Sequence, residues 1–189
     1  PLLEDNEPTY SYHGYAQSDL YKVDPRYGTN SWFKELVLES HRRGLKVIKD
    51  EVPNHWSSKH WMIKDLPTKT WIHQFDQFTR SSYRTSTQMD PYAAPSDHSA
   101  SADGWFDTSM PDMNQSNPLL LTYLIQNTIW WVEYACLDGL RVDTYSYNDK
   151  EAIATWTKAI MEEYPYFNIV GEVWLHNQAQ ISYWQKDSK

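Results

Sequence analysis

Two carboxylates and one arginine stand out by type and position. Arg141 and Asp143 lie in Gly139-Leu140-Arg141-Val142-Asp143, and Glu172 lies in Gly171-Glu172-Val173-Trp174. A third carboxylate, Asp50, opens Asp50-Glu51-Val52-Pro53-Asn54-His55. Each closes an apolar, β-branched run: Asp50 follows Leu45–Ile48 after Lys49, Asp143 follows Leu140–Val142, and Glu172 follows Phe167–Val170. Two carboxyl groups in different protonation states can divide a difficult bond cleavage between a nucleophile and a proton donor. Retaining cleavage of a glycosidic bond needs them roughly 5 Å apart, and neighbouring parallel strands lie about 4.8 Å apart. Arg141 precedes Asp143 by two residues, so both side chains leave a strand on one face. A cation there is expected to lower the pKa of Asp143 and hold it ionised. An ordinary buried ion pair is the bland alternative, but an arginine between Leu140 and Val142 is costly without a dedicated partner.

The elements that must position these groups alternate. Residues 1–28 are turn-rich and polar-aromatic and read as a loop. Thr29 or Asn30 can cap a helix with Trp32, Phe33, Leu36 and Val37 on its apolar face, ended by Gly44. Leu45–Asp50 reads as a strand, near-continuously apolar apart from its lysines, as a doubly buried parallel strand tends to be. Between His55 and Ser116 periodicity vanishes in a stretch rich in Ser, Thr, Asp, Trp and Pro, too long for an ordinary connection. Its aromatics argue against disorder. Pro118 suits the first turn of a helix capped by Ser116 or Asn117, with Leu121, Leu124, Ile125, Thr128, Ile129, Trp131 and Val132 on a thick apolar face. Gly139–Asp143 is a second strand, Asp149–Tyr164 a helix with Ile153, Trp156, Ile160 and Met161 inward, and Phe167–Glu172 a third strand. Helix-then-strand units with ionisable groups at the strand ends suit an α/β architecture, whose sites are built at that edge.

The three carboxylate segments resemble the patterns Asp-x-Val-x-Asn-His, Gly-x-Arg-x-Asp and Gly-Glu-x-Trp of the α-amylase family, glycoside hydrolase family thirteen. Met110-Pro111-Asp112-Met113-Asn114 resembles the stretch that precedes the Arg-bearing strand in neopullulanase-like members. Tyr12-His13-Gly14-Tyr15, followed by Asp19–Thr29, is a further match. All occur in family order over nearly the whole chain. The resemblance implies a (β/α)₈ barrel, of which this chain holds about strands three to five, with a small domain inserted after the third strand. The expected division is 1–55 and 117–189 as barrel segments and 56–116 as the insert. It also implies Asp143 as nucleophile and Glu172 as acid/base of a retaining α-glucan hydrolase of the neopullulanase or cyclomaltodextrinase type. Tyr15, His55, Arg141, His13 and Trp174 are implied substrate contacts, and Asp50 a hydrogen-bonding support. No cofactor is implied as required. Asn54 matches a residue that binds calcium in many members, oxygen being the ligand calcium takes. The usual companion histidine four residues after the nucleophile is replaced by Tyr147, which counts against that metal. His55 and His60 lack supporting zinc spacing.

At 189 residues the chain is shorter than the roughly 250 residues of a whole barrel. A fragment is therefore expected. A further transition-state-stabilising Asp of the family, in an Asn-His-Asp stretch, has no counterpart here, so a polypeptide of these residues alone is expected to be inactive. The net charge of −8 comes from interspersed acids and bases, and no basic stripe points to nucleic acid. The single Cys136 excludes an internal disulfide framework. No stretch approaches the ~18 apolar residues of a membrane helix. For compartment, bacterial periplasm and cytoplasm both stay open. Ten Trp and fourteen Tyr mark a chain with many rings for core packing or for stacking on pyranose faces. Trp56, Trp61, Trp71 and Trp105, flanked by polar residues, are the candidate platforms. Two other readings remain. One is an oligo-1,6-glucosidase, although such enzymes tend to have Gln where Met110 stands. The other is a non-catalytic amylase-like subunit, although those lose the catalytic carboxylates.

Overall fold

Three parallel strands carry the carboxylate segments. In a computed structural model of the chain, which describes residues 1–8 and 11–185, these are β3 (Ile48–Glu51), β4 (Gly139–Val142) and β5 (Asn168–Gly171), paired in the order β3-β4-β5. Before them lie β1 (Leu3–Glu4), β2 (Asp19–Val23) and α1 (Asn30–Arg42). Between β3 and β4 come three short 3₁₀ turns, α2 (Pro95–Ala102) and α3 (Pro118–Ala135); α4 (Lys150–Glu163) joins β4 to β5, and α5 (Gln178–Ser182) follows. Neighbouring parallel strands joined through helices are what part of a (β/α)₈ barrel requires.

Register explains the two faces of this sheet. Asp50 pairs with Arg141 and Arg141 with Val170, so these three share a rung. Lys49 and Glu51 point the other way, toward α3, where they form a buried ion pair at 2.5 Å with the ammonium 5.6 Å from the Trp131 ring. Leu140 and Val142 are buried on that same helix-covered side with Trp131, Trp156 and Ile160. Thus the helices cover one face, and the rung of Asp50 and Arg141 faces away from them.

Caps set the helices. Asn117 Oδ1 accepts from the backbone N–H groups of Leu119 and Leu120, and Pro118 fills the first turn of α3. Asp149 Oδ1 accepts from the Ala152 N–H at the start of α4. Thr29 caps α1, and Gly44, at φ +75°, supplies the left-handed residue that ends it.

Four sequence expectations are corrected. Residues 1–28 are not all loop: β1 and β2 pair antiparallel, with Leu20 and Val23 buried. The Leu20 carbonyl accepts from Asn127 Nδ2 and Trp131 Nε1 of α3, contacts that local pattern does not reveal. The third-strand segment begins at Ile48 and not at Leu45, because the Val47 N–H is taken by Asp138 Oδ2 at 2.7 Å; Leu45 is exposed. On α1, Trp32 and Leu36 are exposed, and the helix buries Val37 and sets Phe33 against Trp131. Trp56 and Trp71 are not free platforms: both are buried, and both pack against Tyr123 of α3. Trp105 is half-buried with its indole N–H on the His73 carbonyl, whereas Trp61 is exposed.

Candidate active site

The ladder runs one step beyond the strands. The Asp143 N–H donates to the Glu51 carbonyl and the Glu172 N–H to the Val142 carbonyl, each at 2.8 Å. Asp143 and Glu172 therefore leave neighbouring strand ends at equal height. Gly171 permits the close approach beside them, since a Cβ there would meet the Tyr145 ring at 2.6 Å.

Arg141 gathers the site. Its Nη1 donates to Asp50 Oδ1 at 2.7 Å and to Asp143 Oδ1 at 2.8 Å, and its Nη2 pairs with Glu172 Oε1 at 2.6 Å. Tyr15 joins from the first loop: its hydroxyl donates to Asp50 Oδ2 at 3.1 Å, and the guanidinium stands 5.9 Å from its ring centroid. His13 Nδ1 accepts from the Tyr15 N–H. Trp174 stands at the rim, 76% exposed, near enough to Glu172 to help hold that carboxyl low. His55 is buried, its ring 4.9 Å from that of Phe106. Asp50, Tyr15, Arg141, Asp143 and Glu172 are thus brought together, with His13 and Trp174 flanking and His55 near Tyr15 and His13.

One arginine faces three carboxylates, and the electrostatics follow from that imbalance. Burial pushes Asp143 up to about 7, against the pull of Arg141 and with the charges of Glu172 and Asp50 adding to the rise. This corrects the expectation that Arg141 holds Asp143 low: one guanidinium shared among three acids does not offset desolvation. Burial also raises Glu172, but the Thr144 N–H, the Trp174 indole, Arg141 and Asp143 together hold it below the usual carboxylate range. Burial drives His55 down to about 4, so its imidazole is neutral near pH 7.

Sequence reasoning missed Thr144. It adopts a left-handed conformation, φ 48°, and aims its N–H at Glu172 Oε2, 2.9 Å away. No sequence signal marks it, because a β-branched residue is among the least expected there.

Asn54 has a buried Oδ1 without a partner, one oxygen of the kind calcium takes. The carboxylate beside it is already committed: Asp112 Oδ1 accepts from Asn54 Nδ2, and Asp112 Oδ2 bonds His73 Nδ1 at 2.7 Å. Calcium takes about 6–8 oxygens, and the described residues hold no group of three or more His, Cys, Asp or Glu placed for a metal. Asn54 Oδ1 and the Asp112 carboxylate are two neighbouring oxygens of the kind calcium takes, and Asp112 is at the same time bonded to His73.

The family description for the catalytic domain of alpha amylase matches residues 3–189. The chain belongs to the alpha-amylase family. Among curated relatives of this amylase-family chain, Alpha-amylase 3 of Dictyoglomus thermophilum is 30% identical over 195 residues, covering 95% of this chain and 36% of that protein. Neopullulanase 2 of Thermoactinomyces vulgaris is 28% identical over 171 residues, covering 87% and 27%. Among solved structures, the alpha-amylase of Geobacillus thermoleovorans complexed with acarbose superposes with a TM-score of 0.81 at 32% identity, covering all of this chain and 38% of that one. The chain thus spans about a third of the length of the relatives it matches, and its α/β fold is that of the barrel amylases. Among the described residues no helix is long and apolar enough to cross a membrane.

Proposed function

We propose that this chain carries the nucleophile and the acid/base of a retaining α-glucan hydrolase of the neopullulanase, cyclomaltodextrinase or α-amylase type. The observation that carries the reading is the single guanidinium of Arg141 that holds Asp143 and Glu172 together at adjacent strand ends. Asp143 attacks the anomeric carbon while Glu172 protonates the departing glycosidic oxygen. Glu172 then takes a proton from water, which attacks the same carbon and frees Asp143. A sugar hydroxyl in place of water gives transglycosylation. Burial raises Asp143 while the donors around Glu172 lower that carboxyl, and the two acids titrate as a pair. The reactive form has Asp143 ionised and the proton on Glu172. Tyr15, His13, His55, Arg141 and Trp174 contact sugar, His55 with a ring nitrogen that has no protein partner, and Asp50 also holds Arg141 and Tyr15. The site needs no calcium. A polypeptide limited to these residues lacks the family's further stabilising Asp and does not turn over.

The test uses the full-length protein. Asp143→Ala should lower turnover of maltooligosaccharides by several orders of magnitude. Glu172→Gln should be comparably slow on them, yet partly rescued on α-maltosyl fluoride, whose leaving group needs no proton. Equal defects of Glu172→Gln on both substrates, or a first-formed product of inverted anomeric configuration, would overturn the assignment. For calcium, chelator should leave Tm unchanged; a rise of several degrees on adding calcium would overturn that part.

A further inference from the structure

Three non-glycine residues among those described have positive φ: Tyr83, Cys136 and Thr144. Cys136 caps the end of α3, and Thr144 serves Glu172. Tyr83 does neither. At φ +56° it is a bulky side chain in a region that such residues rarely adopt. It is held there: its N–H donates to Ser81 Oγ at 3.2 Å, its hydroxyl donates to the Phe106 carbonyl at 3.0 Å, and its ring stacks on Phe106 at 5.7 Å and 19°. For all this fixation the side chain is not buried; Tyr83 is 50% exposed. Backbone strain of this kind collects where a side chain has a task.

The rings lead to the site. Phe106 lies 4.9 Å from His55 and 5.0 Å from Tyr147, and Tyr83 lies 6.4 Å from Tyr147. Tyr147 belongs to the turn just after Asp143, close enough that the Glu172 charge adds to the rise that burial gives its phenol. Gln88 Nε2 donates to the Ser146 carbonyl at 3.0 Å and ties the segment after Tyr83 to that same turn. Tyr15 and His13 stand instead with Asp50. The site therefore has an aromatic group on its Asp50 side and another beside Glu172.

We propose that Tyr83 is a stacking platform on the leaving-group side, where its face away from Phe106 receives a glucosyl residue of the portion that Glu172 releases, with Tyr147 as the side wall. The proposal rests on the assignment of Glu172 as acid/base. An aromatic face takes the C–H face of a pyranose, and a ring whose hydroxyl is already tied to Phe106 loses little freedom on binding.

The experiment compares kcat/KM of the full-length protein for maltohexaose, which fills the leaving-group side, and for α-maltosyl fluoride, which leaves it empty. In Tyr83→Asn, whose side chain is removed but whose backbone tolerates positive φ, the ratio of the two should fall about tenfold. Tyr83→Phe should keep the wild-type ratio. Tyr83→Gly replaces Tyr83→Asn if the latter does not fold. An unchanged ratio in the ring-deleted variant overturns the platform, whether both constants fall together or neither moves. A wild-type protein that cleaves neither substrate overturns the α-glucan reading itself, a separate result.

Discussion

Thr144 donates its backbone N–H to Glu172 Oε2 at 2.9 Å from a left-handed conformation, φ 48°. The bend that ends β4 therefore places a donor on the neighbouring strand's carboxylate. For an L-residue that conformation costs about 1–2 kcal/mol, and Thr144 Oγ1 is in addition buried without a partner. Glycine removes both burdens but has more freedom to lose on folding, about 0.5–1 kcal/mol. Thr144→Gly is expected to stabilise the protein by roughly 0.5–1 kcal/mol and to leave kcat nearly unchanged, since the N–H remains. Urea unfolding with parallel turnover measurements checks this; a destabilised variant would mean that the threonine side chain contributes packing that outweighs the strain.

Asp143 makes stability pH-dependent in a direction opposite to most carboxylates. Burial lifts it from 3.8 to about 7 in the folded protein. A raised folded-state pKa means that the stabilising contribution is complete below about 3.8 and is lost as pH rises through about 7. Asp143→Asn removes that dependence. The stability of the variant relative to wild type should therefore grow between pH 4 and 7 and level off above. Denaturant midpoints across this range measure it. A difference that shrinks with rising pH would show that Arg141 dominates over burial.

How much of this was legible in the sequence depends on whether the cause is local. β4 and β5 are short apolar runs between a helix end and a carboxylate, and α3 and α4 announce themselves through Asn117-Pro118 and Asp149. The convergence of Arg141, Asp143 and Glu172 follows from strand spacing taken together with the family resemblance. β2 did not follow, because Asp19-Leu20-Tyr21-Lys22-Val23 is stabilised by α3 side chains far along the chain. Trp56 and Trp71 were misjudged because polar neighbours suggested exposure, whereas Tyr123 of α3 closes over both. The direction of the Asp143 shift was also out of reach, since it reflects depth of burial and the sharing of Arg141 with two other acids.

Lys49 and Glu51 form an ion pair with side chains 0% and 8% exposed. Removing one partner leaves a buried charge uncompensated, while replacing both with apolar groups removes two desolvation costs. Lys49→Met is expected to destabilise by about 3–5 kcal/mol, and Lys49→Met with Glu51→Val to be neutral or stabilising by about 1–4 kcal/mol. The double-mutant cycle from chemical unfolding isolates the pair. A double variant as unstable as the single one would mean that Lys49 also matters through its contact with the Trp131 ring.

The last prediction concerns a polypeptide of residues 1–189 on its own. Among the described residues β3 and β5 each pair only with β4, so each keeps one unpaired edge, a template for pairing with another chain. Ile48 and Val170 on those strands are exposed, as are Trp32 and Leu36 on α1. Fully burying side chains of this kind is worth about 1.5–3 kcal/mol each, which an isolated polypeptide recovers only by association. It should bind a hydrophobic dye, sediment as concentration-dependent oligomers and hydrolyse neither pullulan nor cyclodextrin. Co-expression with the remainder of a barrel should suppress the dye signal. A monomer that melts cooperatively and cleaves either substrate would show that three strands and their helices suffice both to fold and to catalyse.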